Sequence, residues 1–175
     1  SYPADLSMNE TANQDAGIKP LLEKMVEAKQ LSAIDAQALL RQAQSSPKTG
    51  PQTEADVLRW LASEYDLAYT TLDEVEPDRQ LLSLFPARIL LKEELLPLKR
   101  PNGTVEVATS RLFSTQGLDL LKSITGLNLR PVLATGEAIQ REMKKRLGVG
   151  ADTIDTLGEE ASFQVLDENP EDDTN

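Results

Sequence analysis

The sequence predicts an α/β chain of the α+β kind: a small mixed sheet packed with helices, preceded by a helical hairpin. Three observations predict it. Between residues 17 and 44, apolar side chains recur at helical spacing. Around Asn102-Gly103, two apolar runs flank a tight-turn signal. From residue 116 onward, helix and strand patterns alternate.

The elements follow in order. Residues 1–14 are small and polar and are expected to be disordered. Ile18, Leu21, Leu22, Met25 and Val26 fall at i, i+3, i+4, i+7 and i+8, one stripe of a helix. Pro20 is tolerated in its first turn. Ser32 with Asp35 caps a second helix, whose apolar positions are Ala36, Leu39, Leu40 and Ala43. The hairpin spans 15–46, and a flexible linker at 47–52 follows, within "SSPKTGPQT".

A body over 53–150 comes next. Thr53 and Asp56 cap a helix with a buried face of Val57, Leu58, Leu61, Ala62 and Tyr65. "LAYTTL" (67–72) reads as a short strand. The stretch 77–94 reads as helix broken at Phe85-Pro86, because the residue before proline avoids helical geometry. Asn102-Gly103 supplies the positive φ angles of a hairpin turn, with Val105 and Val107 alternating with Glu106 on the return strand. Pro97 places its strand at an edge or a bulge. A helix closed by Gly126, a strand "LNLRPVLA", and a helix capped by Thr135 with Ile139, Met143 and Leu147 complete the body. Residues 151–175 are an acidic tail.

Composition excludes several function classes. There is no cysteine and no histidine, so disulfides and thiolate or imidazole catalysis are out. A zinc or iron site would need carboxylates alone. No run approaches the roughly 20 apolar residues that cross a bilayer. The N-terminus lacks the pattern of a secretory signal, and the cytoplasm is the expected compartment. The net charge of −11 is uneven: residues 151–175 hold nine acidic and no basic side chains, against 20 acidic and 18 basic in the rest. No basic face points to nucleic acid.

"RLGVGADT" (146–153) raises the question of a nucleotide loop. It lacks the lysine of G-x-x-x-x-G-K-[ST] and follows a helix, not a strand. Lys144, Lys145 and Arg146 suit a helix's last turn, and Gly148 suits a left-handed cap. The stretch is read as the end of a domain. The cluster Asp73, Glu74, Glu76 and Asp78 is read as an acidic turn and helix start, with cation binding as the alternative. Glu93 and Glu94 point apart on a helix. Arg141, Lys144 and Lys145 form a solvated helix end or an anion-binding surface. Trp60 and Phe85 are core or rim, with partner anchoring as the alternative. No catalytic, cofactor-binding or metal-binding residue is assigned.

Residues 53–153 resemble the N-terminal domain of type II secretion and type IV pilus assembly ATPases, the secretion E component and its pilus counterpart. The resemblance is carried in order by Leu72-Asp73; Asp78, Leu81, Leu82 and Pro86; Leu96-Pro97; Val105, Val107 and Ala108; Thr125-Gly126; and Ala134, Thr135, Glu137 and Ile139. One departure is "TSRLFS", which stands where the family usually has Asp-Pro. Some relatives bind cyclic di-GMP through R-L-G-x-x-L-x-x-x-G-L segments. "PLLEKMVEAKQL" (20–31) is similar to a single degenerate copy, with Pro20, Leu22 and Lys29 replacing the arginine and two glycines.

The resemblance implies a protein-transport role. The domain would be a non-catalytic interaction module that docks the motor onto the cytoplasmic domain of an inner-membrane platform protein. ATP and magnesium would belong to a downstream motor in the parent protein, with 151–175 as the linker to it. The expected partners are that platform and the parent's own ATPase domain, without nucleic acid and without membrane insertion. Cyclic di-GMP is not expected to bind, and a cyclic-di-GMP-sensing module is the alternative function.

Overall fold

The computed structural model describes residues 17–148. The expected disorder of 1–14 and the acidic tail at 151–175 lie outside them. The chain divides into two compact units. The first runs to Asp66 and adds Arg111–Ser114, and the second takes Leu67–Ser110 and the chain from Thr115 on.

The first unit holds three helices: α1 over 17–27, α2 at Ala33–Ser45 and α3 at Glu54–Glu64. Ile18, Leu22 and Met25 of the expected stripe are buried, while Leu21 and Val26 are half-buried. Ser32 caps α2 as expected, its hydroxyl accepting from the Asp35 amide at 3.1 Å. Of that helix's four apolar positions only Leu39 is fully buried. Thr53 and Asp56 form a full capping box at the start of α3. Val57, Leu58, Leu61 and Ala62 are buried as expected. Tyr65 is not: it is 43% exposed. Its hydroxyl donates to Asp35 Oδ2 at 2.8 Å, so the ring sits where its polar end finds a carboxylate.

The linker expected at 47–52 is a hydrogen-bonded turn inside this unit. The Gly50 amide donates to the Ser46 carbonyl at 2.8 Å, and Gln52 Nε2 donates to the Pro47 carbonyl at 3.3 Å. A Cβ at Gly50 would meet Ser46 O at 3.0 Å and Ala43 Cα at 3.2 Å. Close packing against the end of α2 thus replaces a free linker. The boundary expected at 52/53 is displaced to 66/67, and α3 groups with the hairpin rather than with the sheet. The loop 111–114 joins the unit through the Phe113 amide on the Lys29 carbonyl at 3.0 Å and an edge-to-face contact of Phe113 with Tyr65 at 5.7 Å.

The second unit is built on a three-stranded sheet in the order β1-β2-β3. Its elements are α4 (Arg79–Leu82), α5 (Ala87–Glu93), β1 (Leu96–Lys99), β2 (Thr104–Thr109), α6 (Gln116–Thr125), β3 (Asn128–Leu133) and α7 (Gly136–Leu147). β1 and β2 are antiparallel, and β2 and β3 are parallel with α6 between them. The mixed sheet is as expected. The helix break at Phe85-Pro86 falls between α4 and α5. Pro97 lies on an edge strand beside a register shift, so both of its expected placements hold. Asn102 and Gly103 both take positive φ, within a short 3₁₀ turn at Pro101–Gly103.

The expected strand over 67–72 is reduced to one bridge, Tyr69 with Leu133. The threonine hydroxyls explain it. Thr70 Oγ1 accepts from the Leu72 amide at 3.0 Å and Thr71 Oγ1 from the Asp73 amide at 3.4 Å. These local turns compete with the ladder, and Leu72 reaches φ 70°.

Val105, Val107, Leu121, Val132, Ile139, Met143 and Leu147 share one core with the leucines of α4, α5 and β1. On the outer face, Glu106 accepts from Arg130 Nη2 at 2.9 Å and lies 3.9 Å from Lys99 Nζ. That ladder joins all three strands at matched register positions. Exposed pairs of this kind contribute little energy and serve mainly to fix register.

Candidate functional site

The most structured polar cluster of the second unit lies on α7. Thr135 caps the helix by accepting from the Ala138 amide at 3.2 Å. Gly148 closes it in the left-handed conformation, φ 79°. The reading of this glycine as a helix stop therefore holds, while Gly150 and Thr153 lie outside the described residues. Between these ends Ala138, Ile139, Glu142, Met143, Arg146 and Leu147 are buried. The stripe is wide enough to carry an ion pair beside the apolar seam.

Arg146 Nη2 donates to the Val75 carbonyl at 2.7 Å and contacts Glu142 Oε1 at 3.2 Å. Lys145 Nζ stands 3.4 Å and Arg141 Nε 3.9 Å from Glu142 Oε2. One carboxylate therefore faces three cations. Arg146 and Glu142 wall a groove of about 230 Å³ with Leu72, Asp73, Val75, Arg79 and Lys145.

Of the sequence candidates, Arg141 and Lys145 converge here, and Lys144 stays exposed. Asp73 lines the groove, and Asp78 caps α4 by accepting from the Leu81 amide at 3.0 Å. Among the described residues, no group of three or more acidic side chains could hold a metal. Glu93 packs on Gly117, where a Cβ would come within 2.7 Å of its Cγ. Glu94 accepts from Gln140 Nε2 at 2.7 Å; it lies just past the end of α5 at φ 55°, not on the helix as expected. Phe85 is buried and Trp60 half-buried, consistent with core and rim. Sequence reasoning missed the Glu142–Arg146 pair. Its signal was present: an i, i+4 acid–base spacing flanking Met143 on the buried side.

The sequence holds no G-x-x-x-x-G-K-[ST]. No helix among the described residues is long and apolar enough to cross a membrane.

A search of curated proteins finds no match. Among solved structures, the chain is similar to MshE with cdg, with a TM-score of 0.51 and 17% identity over 71% of this chain and 96% of that one. It is also similar to the N-terminal domain of XpsE, with a TM-score of 0.47 and 17% identity over 72% of this chain and 93% of that one. At these identities the first likeness speaks for the fold alone. Residues 65–150 match the MshEN domain family. The match opens beside the structural boundary at Asp66 and spans the described residues of the second unit. The resemblance read from the sequence and this match agree: residues 65–150 are similar to the MshEN domain, the N-terminal domain type of type II secretion and type IV pilus assembly ATPases.

Proposed function

We propose that this chain is the non-catalytic N-terminal interaction domain of a secretion or pilus assembly ATPase. It docks the motor onto the cytoplasmic domain of an inner-membrane platform protein. The observation that carries the reading is the MshEN match over 65–150. The second unit supports it with a core of its own built on the three-stranded sheet. ATP and magnesium then belong to a motor downstream in the parent, and the domain works at the cytoplasmic face of the inner membrane through its partners.

The test is titration of the full chain into the platform's cytoplasmic domain by calorimetry. Saturable binding at micromolar concentration supports docking, and no heat at high micromolar concentration sinks it.

One observation favours a second reading, a cyclic-di-GMP sensor. Lys29 stands where the degenerate motif has its second glycine, and it holds φ 66°, the conformation glycine favours. Against it, Leu22 fills the place of the first glycine with a buried side chain, and Pro20 removes the arginine. Titration with cyclic di-GMP decides: a silent thermogram and an unmoved melting temperature remove the sensor reading.

A further inference from the structure

Arg146 holds buried side-chain donors that have no hydrogen-bond partner. Its side chain is only 4% exposed. A guanidinium carries five N–H donors, and here only Nη2 is engaged. Nε and Nη1 are buried without any acceptor. A buried donor left unpaired forfeits its solvation with nothing in return. Natural structures keep such groups rare, and each one calls for a reason.

The surroundings supply one. The groove that Arg146 walls carries Arg79 and Lys145 as well, against Asp73 and Glu142. Arg141 draws on the same Glu142 carboxylate from outside the groove. Cations thus outnumber carboxylates at this spot, in a chain whose overall charge is −11. Leu72, Val75 and Leu82 give the groove an apolar side. Cationic donors beside apolar carbon suit a carboxylate carried on methylenes better than a hydrated inorganic anion. The volume of about 230 Å³ falls below the range of about 300–1,000 Å³ of small-molecule pockets. It suits one or two side chains rather than a dinucleotide.

The outer edge of β3 is the competing surface, and it is blunted. Leu133 turns both its amide and its carbonyl outward, to Ala68 and Thr70. Alternate residues of a strand share a side, so Pro131 also faces outward, and it has no amide to offer.

We infer that the groove between α7 and the 72–79 segment seats an Asp or Glu side chain from an acidic segment of the docking partner. The inference rests on the docking reading above. The incoming carboxylate takes donors of Arg146 and Lys145 that Glu142 alone does not satisfy.

The test uses the full chain, ¹⁵N-labelled, and a short blocked peptide of glutamate and alanine as the probe. Saturable shifts are expected at the Arg146 Nε–H and the Lys145 amide, and the peptide is expected to compete with the platform's cytoplasmic domain. K145E, on an exposed residue, is expected to weaken both ligands by roughly five- to tenfold, with the melting temperature lowered only slightly by the lost Glu142 contact. R146K keeps the charge but loses the fork, and is expected to weaken them further.

An unmoved Arg146 Nε–H overturns the inference. So does a platform domain that binds K145E and R146K like the unaltered chain, although docking itself then stands. If the peptide binds as expected but the platform does not bind at all, the docking reading fails while the seat for acidic side chains stands. If the peptide binds only after residues 151–175 are removed, the occupant is the chain's own acidic segment and the partner assignment falls.

Discussion

At the scale of single residues, backbone conformation and side-chain identity disagree at Lys29, one of five non-glycine residues with positive φ among the described residues. Lys29 is exposed and held at φ 66°, where a Cβ costs about 1–2 kcal/mol. Lys29→Gly is expected to raise stability by roughly 0.5–1 kcal/mol once glycine's extra unfolded freedom is subtracted. A urea melt of the pair checks it, and an unchanged or lower midpoint refutes it. Asp56 is the residue whose protonation bears on stability. Its carboxylate accepts the Gln52 and Thr53 amides at 2.9 and 3.2 Å. Chiefly through the first of these, its pKa is held below the usual 3.8, although partial burial pushes the other way. A lowered folded-state pKa contributes stability above pH ~4 that is lost as the pH falls through the lowered value. Stability of the chain is therefore expected to drop on acidification below pH ~4, and Asp56→Asn is expected to flatten part of that drop. Equal slopes for both proteins would count against it. Capping residues such as Ser32, Thr53, Asp78 and Thr135 belong to short local patterns. The Glu142–Arg146 pair was hidden because its burial depends on the 72–78 segment, some seventy residues away in sequence.

At the scale of elements, helices were the most legible because caps and periodicity agree within each one. Gly126 and Gly148 end α6 and α7 in the left-handed conformation, as their positions after the last apolar residue suggest. Strands depended on context. β2 alternates and pairs on both sides, but 67–72 has the composition of a strand without its ladder. Its threonines hydrogen-bond locally instead, a contest that apolar pattern alone does not record. Proline use is legible once the ladder is known. Pro131 lies on the outermost strand with its nitrogen turned away from β2. Pro131→Val is therefore expected to change unfolding free energy by no more than about 0.5 kcal/mol. It also restores an amide to an open edge, so self-association at high concentration is expected to rise. Sedimentation of both proteins over a concentration series is the check, and matched profiles would defeat the expectation.

At the scale of the whole molecule, composition suggested a hairpin joined to a body by a free linker. The turn at 46–52 is instead tied by backbone hydrogen bonds, and the boundary falls at 66/67. Proline, glycine and serine mark a place where helix cannot continue, but they do not say whether the turn packs. The second unit carries a core of twenty buried residues, all between Leu72 and Leu147. The fragment 67–148 is accordingly expected to retain the sheet and to unfold in one cooperative transition. A broad, non-cooperative melt would show that it depends on the first unit. The tetrapeptide Arg111–Ser114 belongs to the first unit, although both its flanks belong to the second. This gives the chain a grammar for recombination. A crossover between relatives at Asp66 exchanges the three helices but leaves Phe113 behind. The transplanted Tyr65 and Lys29 then meet a foreign tetrapeptide. Working hybrids between such proteins must inherit two separate stretches of gene together, and the second stretch is four codons long.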